Sequence, residues 1–457
     1  AFHPSRPGST FLNPNLGCLH SLVLEGHPHI SRAALNHSLQ RTLAMSGTGQ
    51  ELKKRVLVVG GSGRVGGSTV KHLLSEANRD DMPLEVVIGG RSDANFEESK
   101  KRIKGKLMDD GIQGALVENN LHFTKLNLES KESMISAMEG MDLVVHTAGP
   151  FQQKTCPEVL EAALEVGTSY VDVCDEIELC KAAKALEGKV KEAGMTAIVS
   201  AGIWPGASAL MAAKAVERLR QIAIDKKGQA ATEDGANTKE KLDLSFFTAG
   251  TGNAGATIVS ATFLLLAQKA LTFVNGAKTE VEPWTSPYKT DFGSGVGSRT
   301  VRLLDNPDVF TIHEALSVPN IASRFATAPG IWNQLFGAAK AVPDELLSNR
   351  DAMQGLSIFS LPIIRAVDLL VGATNSMKVE ASNEDASITF TVTHDDLEEC
   401  VGLATAAFAL ELLLDRAGSN GAGVFFPAEM SAASREAILE RVKRTALVWD
   451  WDEQKKP

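Results

Sequence analysis

Short apolar runs alternate with longer amphipathic segments through the first half of the chain. Four apolar residues, Val56 to Val59, predict a strand that is buried on both faces. Further runs predict strands at 84–88, 121–126, 142–147, 169–173 and 195–200, and helices at 96–108, 131–138, 157–165 and 176–192. This alternation is typical of a doubly wound parallel α/β sheet, so we predict a Rossmann domain at residues 51–205.

The pattern changes after residue 205. A polar run at 225–241 predicts a surface loop, and the strands predicted beyond it lie at 242–248, 298–303, 377–382 and 386–393. Their spacing indicates a second, inserted α/β domain at 206–395 with a mixed or antiparallel sheet. A long apolar helix at 396–415, with Asp395 or Asp396 as its N-cap, begins a C-terminal helical segment, 396–457, that we expect to return to the Rossmann domain.

A glycine-rich turn joins the first predicted strand to the first helix. Gly61, Gly63 and Gly66 have the G-x-G-x-x-G spacing, which permits a tight turn, close approach of a pyrophosphate and packing of the helix on its strand. Phosphates bind such a turn because the N–H groups at a helix N-terminus favour anions. The predicted cofactor-binding turn also contains Ser62, Arg64 and Val65.

The second predicted strand ends in two glycines and Arg91, where NAD enzymes usually carry an acidic residue for the ribose 2′-hydroxyl. An arginine there suits bidentate contact with a 2′-phosphate. The sequence therefore favours NADP over NAD as cofactor. The alternative is a solvated arginine paired with Asp93 or Glu97.

Composition narrows the classes of partner. The 457-residue chain is 44% hydrophobic with a net charge of −10, which argues against general affinity for nucleic acid or anionic membranes. The five cysteines show no CxxC pair and no metal-ligand spacing, so we expect free thiols in a reducing compartment and no bound metal. The charge-free stretch between Asp243 and Lys269 contains three glycines in its first half, which favours a strand, a loop and a buried helix over a membrane span.

The first fifty residues differ from the rest of the chain. They hold serines, arginines and five of the ten histidines, and Glu25 is their one acidic residue. This composition resembles a transit peptide, so we expect a plastid (chloroplast) location. The alternative is a disordered N-terminal tail on a cytoplasmic protein.

Several motifs match one pattern in order and spacing, and the chain resembles the saccharopine dehydrogenase-like NAD(P)-binding oxidoreductases, which include homospermidine and carboxynorspermidine enzymes. The resemblance implies a Rossmann domain, an inserted domain that shapes the substrate cleft, a possible homodimer contact and a small-molecule substrate. The matching motifs are GGSGRVG at 60–66, GGR ending at Arg91, AGPF at 148–151, YVDVCDE at 170–176, GIWPGASAL at 202–210, THDDLEECVGLATAAFALELLL at 393–414 and GVFFP at 423–427.

The AGPF motif, which contains Ala148, Gly149 and Pro150, lies beside the nicotinamide in this family. Gly149 allows close backbone approach and Pro150 fixes the turn. A plain strand-ending turn is the alternative, but ligands bind at the carboxyl ends of strands in such sheets. A catalytic group has to lie nearby, and Asp172, at the end of the fifth strand, is our catalytic candidate. The alternative role of Asp172 is a helix cap, which Asp175 fits still better.

Other candidates near the AGPF motif are weaker. Tyr170, Glu176 and Lys154 also lie in this region of the sequence. Many family members carry a tyrosine shortly after AGPF, whereas this chain reads GPFQQKTC. Cys156 precedes a proline at a helix start, and we favour a small buried residue there over an activated thiol. His146, inside an apolar strand, is predicted to be a core residue.

Three arginines and a histidine further along the chain are also candidate site residues. An arginine of the second domain could bind a substrate carboxylate, but we favour a role as solvent-exposed surface residues for all three of them. His394, just before the long helix, is predicted to be structural. The arginines are Arg299, Arg302 and Arg324.

The leading hypothesis is an NADP-dependent oxidoreductase that acts on a small C=N, C=O or C=C group. The alternative is an NADP-binding pseudoenzyme with a structural or partner-binding role, suggested by the altered residues after AGPF. Fold resemblance alone does not fix the substrate.

Overall fold

The computed structural model of the protein describes most of the chain after residue 52. The described residues are 53–149, 156–227, 239–250, 264–343, 347, 349, 352, 353, 355, 357–360, 362, 372–414 and 420–456.

The first domain alternates strands and helices. Its strands are β1 (Lys54–Val59), β2 (Leu84–Gly90), β3 (Leu121–Lys125), β4 (Leu143–His146), β5 (Ser169–Asp172) and β6 (Thr196–Ile198). Its helices are α1 (Arg64–Arg79), α2 (Asp93–Asp109), α3 (Ala115–Asn120), α4 (Lys131–Met138), α5 (Glu158–Val166), α6 (Ile177–Lys184) and α7 (Glu187–Glu192).

The second part of the chain is built on longer strands. These are β7 (Lys241–Ala249), β8 (Ala270–Val274), β9 (Ala277–Val281), β10 (Tyr288–Asp291), β11 (Ser298–Leu303), β12 (Asn320–Ala328), β13 (Thr374–Ser382), β14 (Ala386–His394), β15 (Gly423–Phe425) and β16 (Val448–Lys455). The helices are α8 (Ala207–Lys227), α9 (Pro307–Leu316), α10 (Ile331–Ala339), α11 (Leu397–Leu414) and α12 (Ala432–Lys443), with a 3-10 turn at Pro427–Glu429.

The first sheet is parallel, with strand order β15-β6-β5-β4-β1-β2-β3. Six of its strands have the Rossmann order, and each predicted strand lies within two residues of its observed ends. The predicted doubly wound α/β fold is confirmed. The order reverses between β1 and β4, and ligands bind at such a switch point.

Two features of the first domain differ from the prediction. The single helix expected at 176–192 is two helices, α6 and α7. Buried Cys180, Ala183 and Val190 continue one apolar face across the break between them. Periodicity therefore does not reveal it. A seventh strand, β15, pairs with β6 from more than 200 residues away and is too short for a pattern.

The second sheet is mixed, as predicted, with order β10-β11-β12-β7-β13-β14-β16. Strands β7 and β12 run parallel over nine residue pairs, and the other neighbours along this order are antiparallel. The four predicted strands are present, but β8, β9, β10, β12 and β16 were not predicted. The C-terminal segment, expected to be helical, thus also adds strand β16 to the second sheet.

Helix α11 packs along α1, and a Cβ on Gly402 would overlap Ser68. The Oδ1 atom of Asp396 accepts from the backbone N–H of Glu399, so the predicted N-cap is confirmed. Within the part of the chain that the structure describes, no helix is long and apolar enough to cross a membrane. Residues 251–263 of the charge-free stretch, with the helix predicted there, lie outside the described residues.

Candidate functional site

The glycine turn after β1 leaves no room for side chains at its tightest points. Gly60 has φ of +80°, and a Cβ on it would lie 2.8 Å from Ala148 Cα, so the turns after β1 and β4 touch. A Cβ on Gly61 would lie 2.8 Å from Ile88 Cγ1. A Cβ on Gly66 would lie 2.6 Å from Thr147 Oγ1 and closer still to the Gly60 carbonyl oxygen. These contacts seat the N-terminus of α1 at the switch point.

The N-terminus of α1 is open to an anion. Its N-cap, Gly63, has extended backbone and makes no side-chain cap. Arg102 on α2 donates from Nη2 to the Gly63 carbonyl oxygen at 2.8 Å and to that of Ser62 at 3.3 Å. Because Arg102 occupies these carbonyls, it stabilises the turn in the orientation that phosphate binding requires. Sequence gave no signal for Arg102, which is 39 residues from Gly63.

Arg91 is exposed directly after β2, beside the glycine turn. The Ser62 hydroxyl lies 3.8 Å from the position of a Cβ on Gly90, so it faces the same strand end. The Asp93 carboxylate, weighed as a partner for Arg91, instead lies 3.7 Å from Lys125 Nζ at the end of β3. Lys125 therefore takes the carboxylate of Asp93, and the exposed Arg91 lies at the neighbouring strand end.

The remaining residues of the predicted turn differ in exposure. Arg64 and Val65 are half-buried in the first turn of α1, and Arg64 Nη1 lies 4.0 Å from the Glu398 carboxylate of α11. The Arg64 side chain therefore points toward α11, while the backbone of both residues forms the first turn of α1.

The turn after β4 borders a cleft at the carboxyl ends of β4 and β5. Gly149 has φ of +73°, which favours glycine, and both Ala148 and Gly149 line the cleft. Pro150 and Lys154 lie outside the described residues. The opposite wall of the cleft is formed by side chains of β4, β5 and the turn that follows β5.

Asp172 lies at the inner end of this cleft and is only 4% exposed. Its Oδ1 accepts backbone N–H bonds from Cys174 at 3.0 Å and Ser200 at 2.8 Å. Burial raises the pKa of Asp172 to about 6, although these bonds and one from Tyr170 oppose the shift. Asp172 thus ties β5 to β6, and its carboxyl group takes up a proton at a higher pH than an ordinary aspartate does.

His146 and Tyr170 form a hydrogen-bonded chain with Asp172, and all three residues line the cleft. His146 pairs with Asp172 in the β4–β5 register, and its Nδ1 lies 3.0 Å from the Tyr170 hydroxyl oxygen. Because Tyr170 hydrogen-bonds the Asp172 carboxylate, we assign the shared proton at Nδ1 to His146, which donates to Tyr170. Burial, and then the charge of Asp172, raise the pKa of Tyr170 well above its usual value, so it stays protonated. His146 is half-buried and lines the cleft, so its prediction as a core residue was wrong.

Two further predictions near the cleft need correction. Cys156 is exposed at the cleft rather than buried, because the proline after it starts α5 at the rim. Glu176, not Asp175, is the N-cap of α6, and it forms no side-chain cap bond. Asp175 and Glu176 instead line the cleft.

The second-domain cations are engaged within that domain. Arg324 Nη1 donates to Asp243 Oδ1 at 2.5 Å, while Arg299 and Arg302 lie over the rings of Phe247 and Trp284. None of the three lines the cleft described here. His394 is buried, as expected of a structural residue, and burial lowers its pKa to about 4.

A charge cluster fastens α11 to the Rossmann domain. Glu399 accepts from Lys71 at 2.9 Å, from His72 at 3.1 Å and from Lys106. Burial alone would raise the pKa of Glu399, but these hydrogen bonds hold it well below its usual range. The cluster holds the helix of the glycine turn in place, and its partners are some 290 to 330 residues apart in sequence.

Replacing Glu399 by glutamine is expected to destabilise the fold by about 2 kcal/mol, because partly buried cations lose their carboxylate. The pKa is lowered in the folded state, so the stabilisation is full above about pH 4.5 and shrinks as pH falls. Urea denaturation of the wild type and the variant at pH 7.5 and pH 4 measures the loss of stability and its decrease at low pH. Glu436→Gln, which removes an exposed pair with Lys214, is the control and should cost under about 0.5 kcal/mol. Equal effects of the two variants would contradict the assignment.

These features define a Rossmann domain with a glycine turn and a cleft at the carboxyl ends of its strands, joined to a second domain. Residues 56–198 match the family model of the saccharopine dehydrogenase NADP binding domain. Carboxynorspermidine synthase from Vibrio cholerae is 30% identical over 173 residues, or 35% of this chain and 39% of that protein. The chain thus matches well under half the length of this curated relative.

A solved structure shares the overall architecture. The apo saccharopine dehydrogenase (L-Glu forming) from Saccharomyces cerevisiae superposes with a TM-score of 0.56 over 88% of this chain and all of that one, at 14% identity. At this identity the likeness shows the fold. Residues 56–198 are thus similar to the saccharopine dehydrogenase NADP binding domain, and the chain as a whole shares the fold of a saccharopine dehydrogenase.

Proposed function

We propose that the protein is an NADP(H)-dependent oxidoreductase that transfers hydride between the nicotinamide and a small C=N, C=O or C=C group. The proposal rests on one juxtaposition: the glycine turn meets Ala148 at the switch point, and the His146–Tyr170–Asp172 chain lies in the cleft beside it. Carboxynorspermidine, the product in the relative's name, is a polyamine, and reduction of an imine is one route to an amine, so imines are the first substrates to test.

The residues fit the cofactor. Gly61, Gly63 and the N-terminus of α1 would hold the pyrophosphate. The tight turn has no room for a Cβ on Gly61, which would collide with Ile88, and the N-cap of the helix makes no side-chain bond. Arg91 would bind the 2′-phosphate, and Ala148 and Gly149 would border the nicotinamide. When bound, the nicotinamide supplies the hydride.

The chain's own groups supply the proton. The His146 ring borders the cleft, with its Nδ1–H on Tyr170, and Tyr170 in turn donates to Asp172. In the reductive direction His146 gives a proton to the substrate atom that gains it, and Asp172 stabilises the charged imidazole through Tyr170. In this scheme His146 is the catalytic residue that contacts substrate, and Asp172 acts as a positioning residue.

The test of the cofactor assignment is a fluorescence titration of the full chain with NADPH and NADH. For Arg91→Ala, NADPH should bind about 10- to 100-fold more weakly, because a charge-assisted contact is lost, whereas NADH binding stays unchanged. Arg79→Ala, at the far end of α1 and exposed, is the matched control and should leave both affinities unchanged. Equal weakening for both nucleotides in Arg91→Ala would contradict the assignment.

A metabolite panel of imines, carbonyl compounds and activated alkenes, followed by NADPH absorbance, separates enzyme from pseudoenzyme. Turnover supports the proposal. Tight NADPH binding with no turnover on any member of the panel favours the binding-only alternative.

A further inference from the structure

Two cysteine side chains lie together at the wall of the cleft. Cys174 Sγ and Cys180 Sγ are 3.8 Å apart. Cys174, in the turn after β5, is half-buried and lines the cleft, whereas Cys180 in α6 is fully buried behind it. A disulfide has an S–S distance of about 2.05 Å, so the sulfurs need to approach by less than about 2 Å.

We infer that Cys174 and Cys180 form an oxidation site, at which a peroxide entering the cleft converts the two thiols into a disulfide. Cys174 Sγ attacks one peroxide oxygen, the O–O bond breaks, and a sulfenic acid and water result. Cys180 Sγ then attacks the Cys174 sulfur and displaces its oxygen as a second water. The two thiols lose two electrons and two protons, and one hydrogen peroxide is reduced to two waters.

The same residues support Asp172. Cys174 donates its N–H to Asp172 Oδ1, and Ser200, which donates its own N–H there, has Oγ 3.1 Å from Cys180 Sγ. Formation of the S–S bond therefore pulls on both donors of the Asp172 carboxylate. We expect oxidation to reduce turnover, a consequence that rests on the proposed function.

We expect the Cys174 thiol to react slowly at neutral pH. The hydrogen bond to Cys180, together with burial, raises the pKa of Cys174, and the charges of Asp172 and Asp175 add to the shift. Because the thiolate is the nucleophile, the rate of disulfide formation should rise about tenfold per pH unit between pH 7 and pH 9.

Peptide mapping tests the site directly. After peroxide treatment of the full chain and cleavage at glutamates, the peptide 166–176 with Cys174 should be linked to the peptide 179–187 with Cys180. The link should vanish in Cys174→Ser and in Cys180→Ser and persist in Cys400→Ser, a buried cysteine elsewhere. Retained NADPH binding shows that each variant is folded. A link from Cys174 to Cys156 instead, or overoxidation without any link, would overturn the inference.

Turnover gives a separate readout. We expect oxidation to reduce it at least fivefold, with recovery after dithiothreitol and no loss in Cys180→Ser. A disulfide that forms while turnover is unchanged would overturn the coupling to Asp172. A protein without turnover that still forms the disulfide would instead count against the proposed function alone, since the map does not depend on activity.

Discussion

Replacing Gly66 by alanine is expected to weaken NADPH binding by at least about 100-fold, or about 3 kcal/mol. The added Cβ would lie 2.6 Å from Thr147 Oγ1 and overlap the Gly60 carbonyl oxygen, and backbone in a tight turn has nowhere to move. Helix α1 would be displaced from β1, and with it the N–H groups that we assign to the pyrophosphate. Fluorescence titration of the full chain measures the loss.

Gly105→Ala is the matched control. Gly105 lies on the exposed side of α2, and a Cβ there meets no atom within 4 Å. Alanine is the better helix former, so this variant should be about 0.5–1 kcal/mol more stable and bind NADPH normally. Normal NADPH affinity in Gly66→Ala would show that the turn is only a strand–helix connection.

Replacing Asp172 by asparagine should reduce turnover about 100-fold while NADPH affinity changes less than twofold. The amide oxygen can still accept the N–H bonds of Cys174 and Ser200, so the turn stays in place. What is lost is the negative charge that stabilises protonated His146 through Tyr170. A purely structural role for Asp172 would leave turnover unchanged in the folded variant.

The same variant has a signature in the pH dependence of stability. The pKa of Asp172 is about 6 in the folded protein and about 3.8 unfolded, because burial disfavours its charge. As pH rises from 4 to 6, the unfolded chain loses this proton first, so the wild-type free energy of unfolding falls by about 2 kcal/mol from this group. Asp172→Asn should lack that decline. Urea denaturation across this range compares the two, and equal pH slopes would exclude a buried, titrating Asp172.

Local signals predicted the parts of the fold that depend on short stretches of chain. The apolar run Val56 to Val59 specified β1, and the glycine spacing specified the turn, because backbone room there is a local requirement. Strand β12 escaped prediction, since Arg324 and the polar residues beside it mask its apolar alternation. Cys156 was predicted to be buried and is exposed, because its exposure depends on where α5 starts.

The sequence by itself determined the doubly wound domain, the turn for a dinucleotide and Asp172 as a strand-end acid, because periodicity, glycine spacing and strand ends are written in consecutive residues. Only the tertiary structure decided what surrounds them. Arg102 contacts the glycine turn, Glu399 contacts α1, and His146 contacts Tyr170. Each of these contacts joins residues that are distant in sequence. Such contacts form when separate elements pack together, and no local pattern encodes them.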